Sequence, residues 1–172
     1  MLFTNLFMNR RDIVIGLVIL FALAGFIFFR AKRETSPELI VPQTLSVEDK
    51  LEEAFNLQLP EDVEKVELND VSGGDGSGIA TRKFESGRFT HTVLADLPDP
   101  AVGSFYEGWL VRGNAGDANF AFISTGRMTL AKGGYILEFE SQTNYSDYSN
   151  VVITSERVAD TTPESHILEG SF

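Results

Sequence analysis

The run Ile13 to Phe29, IVIGLVILFALAGFIFF, sets the terms for the rest of the chain. Its 17 residues contain no charge, no proline and no strongly polar side chain. As a helix rising about 1.5 Å per residue it measures ~26 Å. That is the short end of what spans a bilayer, where ~17–25 residues are needed. Arg30 extends the reach, because its stem lies in hydrocarbon while the guanidinium snorkels to the headgroups. The run is apolar all round and basic groups close both ends, which sets it apart from a buried core helix. Gly16, Ala22, Ala24 and Gly25 lack the four-residue spacing of paired helices, so the run reads as a lone anchor. The rival is a cleaved signal peptide, with Arg10 and Arg11 as its basic region and Ala22-Leu23-Ala24 as its cleavage site. Against cleavage, the apolar run continues past that site to Phe29.

The anchor implies an order of parts. Residues 1–12 form a short head, 13–29 the transmembrane helix, 30–45 a linker with Pro37 and Pro42, and 46–60 a short amphipathic helix. Residues 61–172 form the working domain. Ser46 is the expected N-cap of the short helix, with Glu48 and Asp49 in the first turn where the helix dipole favours acids. Val47, Leu51, Ala54 and Phe55 then recur on one face. That face is expected to pack on the domain.

Charge divides along the same boundary. Residues 1–33 carry five basic groups and one acid, whereas the remainder carries nine basic and 24 acidic groups. A domain that negative repels phosphate, so nucleic acid is excluded as a partner. The basic count on the two sides of the anchor is nearly balanced, so charge alone does not orient it. A short head on the inside and a long domain outside is the expected arrangement. With no cysteine, the chain has neither disulfides nor thiolate metal sites.

From Asp62 onward short apolar segments alternate with Gly, Asn, Asp and Pro, and no helical period persists. The expected strands are Ile79–Phe84, Arg88–Ala95, Phe105–Val111, Phe120–Ser124, Arg127–Leu130, Tyr135–Glu140 and Val151–Ser155, with Val66 and Leu68 before them and His166–Glu169 at the end. Glu85-Ser86-Gly87 and Lys132-Gly133-Gly134 are hairpin turns. This spacing points to a β-sandwich or barrel, and the reading adopted is a mainly β, antiparallel β-sandwich. Phe105 to Val111 is apolar on both faces, as in a covered central strand. Trp109, Phe105, Leu110 and Val111 are therefore the expected structural core, with Trp109 as its largest member.

One segment carries a resemblance. Leu97-Pro98-Asp99-Pro100, then Gly103, then an aromatic strand ending in Trp109-Leu110-Val111, resembles the extracytoplasmic C-terminal domain of anti-sigma-K factors. Phe122-Ile123-Ser124-Thr125-Gly126, Tyr135-Ile136-Leu137 and Val151 to Glu156 resemble its later strands. The resemblance covers roughly Lys83 to Glu169 and the order anchor, linker, β domain. It implies a sensor-type domain outside the cytoplasmic membrane. It does not extend to the sigma-binding part of that family, since twelve residues precede the anchor here.

Catalytic spacing is not evident. Neither His91 nor His166 stands in a local arrangement with a nucleophile. Gly76-Ser77-Gly78 lacks the flanking glycines of a nucleophile elbow, and the glycine-rich turn lacks the Lys-Ser/Thr of a phosphate loop. No catalytic residue, cofactor site or metal site is assigned. Acidic loops around Asp70, Asp75, Asp96 and Asp99 leave calcium open as an alternative. Tyr145, Asp147 and Tyr148 form the candidate partner surface. The expected function is a non-enzymatic binding or regulatory domain, single-pass in the cytoplasmic membrane through residues 13–29, with an unidentified protein partner in the envelope. The alternative is a structural component of the cell envelope.

Overall fold

Period-two alternation organises most of the chain that the computed structural model describes, residues 45–172. The head, the apolar run and most of the linker lie outside the described residues. No helix among the described residues is long and apolar enough to cross a membrane.

Helix α1 (Val47–Phe55) begins where its cap places it. Ser46 accepts from the Asp49 N–H, and the Asp49 side chain reaches back to the Ser46 N–H, which completes a capping box. Asn56 ends the helix in the left-handed conformation. Nine strands follow: β1 (Glu64–Asp70), β2 (Ser77–Glu85), β3 (Arg88–Asp96), β4 (Phe105–Arg112), β5 (Ala121–Arg127), β6 (Thr129–Ala131), β7 (Gly134–Ser141), β8 (Asn150–Glu156) and β9 (Ser165–Ser171). Between β2 and β3, Ser86 and Gly87 both have positive φ, at 52° and 78°, which fits the twist of a two-residue hairpin loop.

The domain is mainly β and antiparallel, as expected, and its strands form one sheet. Their order is β5-β4-β8-β9-β1-β2-β3-β7-β6. The sheet curls until it nearly closes. Met128 is the reason: it alone separates β5, which pairs with β4, from β6, which pairs with β7. Its N–H still donates to the Tyr106 carbonyl at 2.9 Å. One length of chain thus switches partners and joins the two ends of the sheet. Bulges at Gly108/Trp109 and Ile153/Thr154 help bend the strands. The two walls approach so closely that a Cβ on Gly108 would lie 2.6 Å from Leu137 Cδ1.

Register sorts the side chains. Leu68, Gly78, Ala95 and Tyr135 form one inward row, and Val66, Ala80, Val93 and Leu137 the next. With Phe89, Leu110, Val151, Ile153 and Leu168 they fill the interior. The outward row Ile79, Leu94 and Ile136 is also apolar. Helix α1 covers it with Leu51, Val47 and Phe55, joined by Leu59. At 2 % exposure Leu51 is a core residue in all but its element.

Candidate functional site

Strand β4 carries two sets of side chains. Tyr106 and Leu110 turn inward, whereas Glu107, Trp109 and Val111 turn outward and pair across β8 with Thr154, Val152 and Asn150. Trp109 is 1 % exposed, yet it lies on the outer face and not in the interior cluster. Its indole N–H donates to Thr154 Oγ1 at 2.8 Å. The ring of Phe122 meets it edge-on at 6.0 Å, and Phe120 lies 5.8 Å from Phe122.

Over this floor lies an open groove of about 530 Å³. Phe120 and Phe122 form one side and are 39 % and 37 % exposed. Pro163, His166 and Glu169 contribute to its lining from the β8–β9 side. Buried carboxylates shape the surroundings. Glu156, 1 % exposed, accepts from the Glu164 N–H at 2.9 Å, and Glu164 accepts from the Arg157 N–H at 3.0 Å. These contacts hold the 157–164 loop that carries Pro163. Glu107 accepts from the Ser124 hydroxyl beside Trp109.

Some polar groups around the groove are paired within the protein, whereas the side chains of Asn150 and Ser171 line it without such a bond among the described residues. Asn114 donates from its amide to Asp117 Oδ2 at 3.2 Å, and His166 Nδ1 lies 2.5 Å from Glu169 Oε1. No lysine or arginine lines the groove. Its chemistry is that of an apolar floor with one carboxylate, Glu169, and the neutral polar side chains of Asn114, Asn150 and Ser171 around it.

Comparison with known proteins came out empty: no family model, curated protein or solved structure matches the chain.

The remaining sequence-derived candidates fall elsewhere. Of the expected core residues, Leu110 is interior, Trp109 and Val111 border the groove, and Phe105 is half-buried with the Arg127 guanidinium 3.6 Å above its ring. Tyr145, Asp147 and Tyr148 do come together, at one end of the curled sheet. Tyr145 packs against Phe89, Phe139 and Tyr148, and Arg112 lies over the Tyr148 ring. Asp147 is exposed, with its carboxylate 2.6 Å from Arg112 Nη1. Both tyrosines are half-buried against the core, so the cluster closes an end of the fold more than it presents a surface.

His91 faces the interior beside Arg82 and Phe172. Burial, with the nearby Arg82 charge, lowers its pKa to about 4, although its hydrogen bond to the Thr81 carbonyl opposes the shift. Neutral, it donates from Nδ1 to that carbonyl at 2.8 Å. Asp70 is enclosed by donors. It accepts from the N–H groups of Ser72, Gly74 and Gly76, and the Gly74 bond leads in holding its pKa below the usual carboxylate value. Those donors occupy the oxygens that a cation would need. Asp99 accepts from the Tyr135 hydroxyl at 3.0 Å. Among the described residues no group of three or more His, Asp or Glu is placed to hold a metal ion.

Phe120, Phe122 and Pro163 were not singled out by sequence as site residues. The available signal was Phe120-x-Phe122, two rings on one strand face opposite the inward Ile123.

Proposed function

We propose that this chain is a membrane-anchored extracytoplasmic binding or regulatory domain, of the sensor type found in anti-sigma-K factors. The observation that carries the reading is the open aromatic groove. Phe120 and Phe122 stand together, 39 % and 37 % exposed, beside a buried tryptophan in one open groove, the pattern of an interaction site. The apolar run 13–29 supplies the single transmembrane pass of this reading. In this reading the opposed walls of the one curled sheet are the two layers of the β-sandwich expected from the strand spacing. The role is binding and not catalysis: His91 is walled into the interior and His166 is tied to Glu169.

The test is topological. Protease added to intact spheroplasts should digest a C-terminal tag and leave the N-terminus protected. A protected C-terminal tag would place the domain in the cytoplasm and end the reading. A mature terminus near Gly25 would establish cleavage and a released domain.

A further inference from the structure

The groove has a chemistry specific enough to name its occupant. Its volume, about 530 Å³, falls within the ~300–1,000 Å³ of ligand clefts. Trp109, Phe120 and Phe122 present ring carbons, and the indole N–H of Trp109 is already bonded to Thr154. The Asn114 amide and His166 Nδ1 are engaged by Asp117 and Glu169. A hydroxyl-rich ligand such as a saccharide would need the side chains of Asn150 and Ser171 as hydrogen-bond partners. An apolar side chain needs none.

Charge selects what flanks that side chain. Glu169 lines the groove, Asp117 holds the turn at Asn114, and Glu164 follows Pro163. Across residues 45–172 there are nine basic against 22 acidic groups. That field repels anionic polymers and anionic lipid surfaces, and it steers cations toward the groove.

We propose that the groove over Trp109 receives the apolar side chains of an extended basic peptide segment belonging to a protein partner. This deepens the binding role proposed above and rests on it. Aromatic and aliphatic anchors fill the floor, and lysine or arginine on either side meets Glu169 in the lining and the exposed Asp117 and Glu164 on the loops that carry Asn114 and Pro163.

The experiment uses the full chain in nonionic detergent, with empty micelles as the blank. Four probes are titrated: the labelled peptide Lys-Lys-Leu-Phe-Leu-Lys-Lys, the same peptide with serine at its three apolar positions, the same with glutamate for lysine, and chitotetraose. Binding is read by anisotropy for the peptides and by Trp109 emission for all four. The basic apolar peptide should bind at least about tenfold more tightly than the other three, as for an anchor residue in a central pocket. Phe122→Ser should weaken it about tenfold or more, and Glu169→Gln should weaken it a few-fold and flatten its salt dependence. Phe120→Ser, at a more exposed ring, keeps the test valid if Phe122→Ser disturbs the fold. Equal binding of the serine peptide would reduce the effect to surface charge, and equal binding of the glutamate peptide would remove the role of the carboxylates. Preference for chitotetraose would make this a glycan site. Each of these, or no peptide binding by a chain whose Trp109 emission reports a folded domain, overturns the proposal. Micelle binding is indifferent to sidedness, so failure here is separate from failure of the topology test.

Discussion

Ile79, Leu94 and Ile136 on one outer face of the sheet, and Val111 and Phe122 beside the buried Trp109 on another, are similar in chemistry and different in cover. Helix α1 lies on the first set, leaving Ile79 and Leu94 at 2 % and 1 % exposure. Over the second lies only the groove, with Phe122 at 37 %. A curled sheet with a filled interior needs no second apolar face for its own stability. The first such face is explained by the helix that follows the linker. The second is explained by nothing within the described residues, which is why the functional reading rests on it.

The largest difference between the faces should appear in stability. Leu51→Ala removes the most buried side chain of α1 and should cost ~2–5 kcal/mol, the range for a buried leucine replaced by alanine. Urea unfolding followed by Trp109 emission measures it from the opposite face. A loss below about 1 kcal/mol would show that α1 is not part of the cooperative unit.

Acid should act on the interior that both faces share. His91 takes up a proton near pH 4 when folded and near 6.5 when unfolded, so the unfolded chain binds more protons between those values. Stability from this group is therefore full above pH 6.5, falls as pH drops toward 4, and is flat below. The span corresponds to roughly 3 kcal/mol. His91→Gln should flatten that part of the pH profile relative to the unmodified chain. An unchanged slope would mean that His91 titrates normally and is not enclosed.

The smallest effect belongs to the open face. Phe120→Ser should change unfolding free energy by about 1 kcal/mol or less, since the ring is 39 % exposed and packs on the equally open Phe122. A loss comparable to that of Leu51→Ala would mean that the groove is covered in the folded protein, and the contrast between the faces would disappear.

The two faces were also unequally legible in the sequence. Ser46, Asp49 and the i, i+4, i+7 pattern to Phe55 gave α1 with its cap, because those signals act within one or two turns. The strands followed from local alternation and from turns such as Ser86-Gly87. Burial of Trp109 was legible too, but its side of the sheet was not. Its partners Thr154 and Phe122 come from other strands, in registers set by bulges at Gly108 and Ile153 that leave no local mark. The contacts of Tyr145 and Tyr148 were not legible for the same reason. In sequence they are an aromatic turn; in the fold Phe89, Phe139 and Arg112 close over them. Closure into one sheet depended on Met128, whose neighbours read as two ordinary strands with a break between.

Acrylamide quenching of Trp109, the single tryptophan in the chain, tests the contrast most directly. A neutral quencher is needed, because the acidic surface would repel iodide whatever the burial. In the unmodified chain emission should be blue-shifted and quenching weak, in keeping with 1 % exposure. Phe122→Ser, which removes the ring that meets the indole edge-on, should raise the quenching constant severalfold, whereas Leu51→Ala under folding conditions should leave it unchanged. Equal quenching in all three chains, or exposure of Trp109 by Leu51→Ala and not by Phe122→Ser, would contradict the account.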